Sequence, residues 1–230
     1  MKRIPKHLTL NLRVNLLFEQ ADRSLSLGLP QAAILYFTLY IEQILITAAC
    51  FVKREKDIDE AIQLRDTLFN YKKRYTFNKV ANEVVNIIGP YISAQRLLFN
   101  YDHGDEEPNK LEELNMILSN LNKIRNTVSG HIFFTIMLDP TNRKPWKRVL
   151  SDFNYYRKVL RRLRRLIVYD LNLQVPEALS LAINYSGPIL VSGVVEQMFV
   201  DAENSVLFEL ARYCRTASLQ IREILKVFIP

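Results

Sequence analysis

A chain of 230 residues, 49% hydrophobic and 24% charged, can bury a full core as one domain or as one domain with a small extension. Its two distant cysteines, Cys50 and Cys214, make neither a disulfide framework nor a metal motif, which excludes a disulfide scaffold and fits a reducing, cytoplasmic compartment. The net charge of +7 and isoelectric point near 9.4 point to a polyanionic partner.

Six glycines and long runs without proline favour helices over many short turn-linked strands. Met1-Lys2-Arg3 is followed by Ile4-Pro5-Lys6-His7 rather than an apolar run with a cleavage site, so no signal peptide is expected. Leu8 to Leu27 reads as the first helix, with Leu10, Val14, Leu17, Ala21 and Leu25 recurring at spacings of three and four. Gly28 closes it and Pro30 opens the next. That second helix, from Pro30 to Lys53, is apolar nearly all round, which suits the centre of a bundle or a subunit interface. Ala32 to Val52 approaches membrane-span length. Glu42-Gln43 at its centre, with Tyr36, Thr38 and Tyr40, instead favours a buried helix in a soluble bundle with no membrane partner.

Asp57 to Tyr75 predicts a third, more polar helix ending in Tyr71-Lys72-Lys73-Arg74-Tyr75. Phe77 to Ile88 predicts a short amphipathic helix stopped by Gly89-Pro90, and Tyr91 to Asn100 a further one. Asp102 to Pro108 reads as an acidic surface loop with no metal-ligand spacing, so no metal is expected there.

The next helix begins near Asn109, with Glu112 and Glu113 suited to the positive end of its dipole. Leu111, Leu114, Ile117, Leu121, Ile124 and Val128 form its apolar stripe. Asn115, Ser119, Asn122, Asn126 and Ser129 form a second stripe of small polar residues, which lets another helix approach closely. Gly130 is a place to end or bend. Ile132 to Leu138 fits a short strand or a helix start, and Asp139 to Asn142 a turn.

Lys144 to Asn172 predicts a long helix with Trp146, Val149, Phe153, Tyr156, Leu160, Leu163 and Ile167 inside. From Arg143 to Arg165, ten Lys or Arg face the single acid Asp152. Arg157, Arg161, Arg164 and Arg165 share one face with Lys158 and Arg162 on its flank, a pattern that can track a phosphate backbone. A solvated face or a membrane-surface helix is the competing reading. Beyond Pro176 the pattern gives a short helical piece, a break at Ser186-Gly187-Pro188, an apolar piece from Ile189 to Val200, and a last helix from Ala202 to Phe228.

Only three histidines exist, His7, His103 and His131. His131 follows Arg125-Asn126 at the end of the best-patterned helix. Histidine can act as base or acid near neutral pH, and arginine supplies fixed charge and a planar fork for phosphate oxygens. Asn126 can orient either through its amide. On a continuous helix Arg125 and His131 lie about 120° apart and roughly 9 Å along the axis, so a bend or a second copy of the motif is needed to bring them together. The bland alternative is a snorkelling arginine and a helix-capping histidine. Arg96 and His103 fit the same loose Arg-x(4–6)-His pattern, one residue further apart and without the asparagine.

Arg125-Asn126, four residues, then His131 resembles the ribonuclease motif of the HEPN-domain family. The opening helix pair around Ser26-Leu27-Gly28-Leu29-Pro30 is similar to that family as well. The resemblance covers about 170 residues as an arrangement of helices and about ten as a motif. It implies an all-α, HEPN-like antiparallel helical bundle over residues 1–172, with 173–230 a C-terminal helical extension packed on it. It further implies a homodimer with a composite site, and metal-independent, cofactor-free RNA cleavage by Arg125, Asn126 and His131. Arg157, Lys158, Arg161, Arg164 and Arg165 would bind the RNA. A toxin or defence role under an activator or antitoxin partner is part of what the family implies. The chain departs from the family's frequent His-x-Tyr, having Phe133, which puts a tyrosine-modification switch in doubt. The alternative from another class is a non-catalytic RNA-binding or assembly module.

Overall fold

The computed structural model describes residues 6–54, 56–68, 77–99, 109–130, 157–186 and 192–228. These form helices α1 (Lys6–Ser26), α2 (Pro30–Arg54), α3 (Ile58–Leu68), α4 (Phe77–Phe99), α5 (Lys110–Gly130), α6 (157–165, running into a π-turn Leu166–Asp170), α7 (Glu177–Asn184) and α8 (Ser192–Leu225). A short 3-10 turn, Lys226–Phe228, follows. No strand occurs among the described residues; the protein is all-α.

The expected corner between the first two helices is present in detail. Gly28 takes φ +75°, the left-handed region that glycine adopts without steric cost. The Gly28 N–H donates to Leu25 O and the Leu29 N–H to Ser24 O, capping the last carbonyls of α1 in a Schellman arrangement. Pro30 then occupies the first turn of α2, where its missing N–H costs nothing.

Helix α2 is the centre of the molecule. Ala33, Ile34, Phe37, Tyr40, Ile41, Ile44, Leu45, Ala48, Ala49 and Val52 are all buried, and α1, α3, α4, α5 and α8 pack around it. By length and composition α2 could cross a membrane; here other helices cover much of its apolar surface, with Leu35 and Leu39 left exposed. Phe18 of α1 meets Phe37 and Tyr40 edge-on, at ring-centroid distances of 5.4 and 5.1 Å.

Two predicted breaks are absent. Gly89-Pro90 lies inside α4, which runs unbroken from Phe77 to Phe99. Val80, Ala81, Val84, Ile88 and Ile92 carry one buried stripe across the pair, so burial outweighs the lost hydrogen bond. Glycine before proline also lacks the Cβ that normally clashes with the proline ring in helical conformation. Pro90 and Asn86, whose carbonyl loses its donor, both face solvent. The second overturned break is at Val200–Ala202: α8 is one helix of 34 residues. Val195, Phe199, Ala202, Val206, Leu210, Cys214, Ala217, Ile221 and Leu225 keep a spacing of three or four throughout, all buried.

The last helix shares one core with α2 and is tied to the start of the chain. Arg215 of α8 grips Asp22 of α1 at 2.8 and 3.3 Å while lying over the Phe18 ring. Asn120 of α5 donates to the Tyr213 hydroxyl of α8 at 2.9 Å, which satisfies the buried asparagine. Residues 69–76, the acidic stretch 100–108, and 131–156, which holds Trp146, Phe153 and Tyr156, lie outside the described residues.

Pro90→Ala restores a donor to the exposed side of α4 and relieves its ring. It should stabilise the protein by about 1–2 kcal/mol, below the ~3 kcal/mol penalty of an unaccommodated helical proline. A higher midpoint in urea denaturation with an unchanged slope is the expected reading.

Candidate functional site

Helix α5 presents the motif. Asn109 caps it, its side-chain oxygen accepting from the Leu111 N–H at 3.2 Å, and Glu112 and Glu113 sit in the first turn. The expected apolar stripe is inside: Leu114, Ile117, Leu121, Ile124 and Val128 are buried and Leu111 is half-buried. The helix continues to Gly130 as its last residue. His131 lies outside the described residues, as does the competing His103.

The small polar stripe faces outward. Asn115, Ser119 and Asn126 are exposed and Asn122 is half-buried, with Asn126 Nδ2 3.5 Å from Asn122 Oδ1. Met116 stands exposed at its edge. Asn126 therefore belongs to a surface, whereas Arg125, about 100° round the helix, is half-buried.

Arg125 turns toward the seam between α2, α4 and α5. Its guanidinium carbon lies 5.5 Å from the centre of the Phe77 ring, a cation–π contact at the first residue of α4. Its Nη1 is buried and has no hydrogen-bond partner among the described residues. Glu42, in the middle of α2, lies close enough to feel this charge. Burial pushes the Glu42 carboxyl above its ordinary range, and the Arg125 cation partly offsets that. Sequence reading treated Glu42 only as an argument against a membrane span. A single carboxylate at the centre of an apolar helix was nevertheless the available signal for a polar neighbour.

The basic helix is placed largely as expected. Lys158, Arg161, Arg162, Arg164 and Arg165 are exposed and Arg157 is half-buried, opposite the buried Val159, Leu160, Leu163, Leu166 and Ile167. None of the five exposed cations has an ion-pair partner among the described residues. The helix ends in a π-turn in which the Leu171 N–H donates to Leu166 O, and Asn172 at φ 51° reverses the chain. Lys123 of α5 pairs with Asp170 of this turn at 2.7 Å, so the motif helix and the basic helix are joined directly.

Other chemistry-bearing groups are less promising. Burial raises the Cys50 thiol to about 11 and pushes Cys214 higher still, so neither is a ready nucleophile. No cluster of His, Cys, Asp and Glu suited to a metal occurs among the described residues. Glu203 of α8 is pushed up to about 7 by burial alone. No family model, curated protein or solved structure matches the chain.

Two substitutions test this geometry. Arg125→Ala should destabilise the fold by about 1–2 kcal/mol, because it removes the contact with Phe77 and leaves Glu42 without its cation. Asn126→Ala should stay within about 0.5 kcal/mol of wild type, as exposed positions do. Urea denaturation of both variants makes the comparison.

Glu203 gives a pH signature. A carboxyl whose pKa is raised by folding favours the fold while protonated, and that contribution is lost as pH rises from the ordinary carboxylate range through about 7. Glu203→Gln should flatten this decline and be more stable than wild type at mildly alkaline pH. Thermal melts across the range check it.

Proposed function

We propose that the protein is a metal-independent endoribonuclease of HEPN type. It acts as a homodimer in which two Arg125-Asn126…His131 motifs make one site. The observation that carries this reading is Arg125 Nη1, buried without a hydrogen-bond partner among the described residues. A buried, unpaired N–H costs about 1–3 kcal/mol. An arginine kept only for architecture has no need to carry that cost. One that meets a phosphate when RNA is bound recovers it, through a charge-assisted bond to a planar fork. The outward polar stripe of α5 supports a second helix docking alongside, and the five exposed cations of α6, without ion-pair partners among the described residues, support a polyanionic ligand.

In this mechanism the substrate's 2′-hydroxyl attacks the adjacent phosphorus while its proton is removed. The bond from phosphorus to the 5′-oxygen breaks, and that oxygen takes up a proton. His131 serves one or both proton steps, and Arg125 balances the charge on the crowded phosphate. Asn126, on the dimer-facing stripe, orients the partner motif or the phosphate.

One specific observation favours a second reading. The Arg125 guanidinium rests over Phe77 and beside Glu42, as a residue that holds three helices together would. A non-catalytic RNA-binding or assembly module has this requirement and no other.

Cleavage chemistry separates the two. A catalyst of the proposed kind should cut RNA in the presence of chelator, leave DNA intact, and give 2′,3′-cyclic phosphate and 5′-hydroxyl ends. His131→Ala should abolish cutting. Arg125→Lys, which keeps charge and stem but loses the fork, should reduce it about 100-fold or more with the fold retained. His103→Ala should cut normally. Light scattering should give the mass of two chains. Tight RNA binding without cleavage, unchanged by His131→Ala, would establish the module instead.

A further inference from the structure

Tyr169 has no role in the site described so far, yet it is 82% exposed, an unusual position for an aromatic ring with no apolar neighbour to cover. It stands in the π-turn that ends α6. Counting along α6, Lys158, Arg161 and Arg165 lie at intervals of three and four, with Arg162 beside them, and Tyr169 follows four residues later. The buried residues of the same helix, Val159, Leu160, Leu163, Leu166 and Ile167, occupy the opposite side. The four cations and the ring therefore share one solvent-facing line. From Lys158 to Arg165 it runs about 10 Å, at 1.5 Å per residue.

The backbone that carries the ring is held by the chain around it. Asp170, the next residue, pairs with Lys123 of α5, and the Leu173 N–H donates to Ile167 O beneath the turn. An exposed aromatic at the end of a row of cations without ion-pair partners among the described residues has the two elements of a single-strand platform: charge that follows phosphates and a flat face for a base.

We propose that the outer face of α6 and its π-turn dock single-stranded RNA, with Lys158, Arg161, Arg162 and Arg165 on phosphates and Tyr169 stacked on a base. This rests on the RNA reading above but not on cleavage. Charge alone would also suit duplex RNA or an anionic membrane. The exposed ring decides for unpaired bases, because a duplex keeps its base faces stacked inside.

Fluorescence anisotropy with a short labelled 2′-O-methyl oligonucleotide, which cannot undergo 2′-hydroxyl attack, tests the platform apart from catalysis. Tyr169→Ala should weaken binding roughly tenfold, the loss of one base–aromatic stack. Tyr169→Phe should bind as wild type. An abasic strand of equal length should bind wild type more weakly by a similar factor, and Tyr169→Ala should lose nothing further on it. Arg162→Gln with Arg165→Gln should lower the slope of log affinity against log salt by about 1.4, from about 0.7 per phosphate contact on a single strand. Circular dichroism confirms that each variant is folded. If Tyr169→Ala binds the strand as wild type does, or duplex RNA binds as tightly as the single strand, the stacking site is wrong while the RNA reading stands. If wild type binds no strand even at low salt, or binds only phosphatidylserine vesicles, both are wrong.

Discussion

The structure depends on finding cover for a helix that has almost no polar side. Residues Pro30–Arg54 cannot be left in water on any broad face without exposing large aliphatic and aromatic surface. Five other helices answer that need: α1 through a tight corner, and α3, α4, α5 and α8 by packing against it. The remaining architecture follows from this enclosure. Helix α7 packs on α8, and α6 is joined to α5 through its terminal π-turn. Surface ion pairs such as Lys53–Glu60 add little beside it.

The same enclosure makes the surroundings of Arg125 unusual. Glu42 is the acidic side chain within the otherwise apolar middle of α2, and burial raises its pKa. A cation nearby on α5 reduces the cost of keeping it ionised, and Phe77 gives the guanidinium an aromatic face in place of water. Three helices thus converge on one arginine, whose Nη1 still lacks a partner among the described residues. Stability and the proposed phosphate contact make competing claims on this group. Replacing it with alanine mixes the two, whereas lysine keeps the charge and much of the stem.

Local chemistry was legible in the residues. Gly28 and Pro30 mark the α1–α2 corner because each is suited to one backbone conformation, and the spacing from Leu111 to Val128 gives the buried side of α5 directly. Gly89-Pro90 misled because punctuation was weighed without the buried stripe that crosses it. The divided reading of α8 failed similarly, since the stripe from Val195 to Leu225 does not pause near residue 200. Contacts between distant segments left no trace in local pattern. Nothing around Asp22 indicates Arg215, and nothing around Asn120 indicates Tyr213. At the candidate site the motif and its exposed asparagine were readable, while Phe77 and Glu42 required the packing of α2, α4 and α5. Tyr169 carries no distinctive signal in the sequence, because an aromatic at helical spacing is ordinarily part of a core.

The distance in sequence between α2 and α8 also bears on how the protein is made. A ribosome releases the chain from its N-terminal end, so α2 is synthesised long before the helix that covers one of its sides. At bacterial or eukaryotic elongation rates the interval between Arg54 and Leu225 lasts on the order of ten to thirty seconds. Throughout it the nascent chain carries an apolar segment of membrane-spanning length with only its early neighbours in place. Such a segment invites chaperone holding or mistargeting, and the close α1–α2 hairpin, complete within the first quarter of the chain, is the earliest shelter available to it.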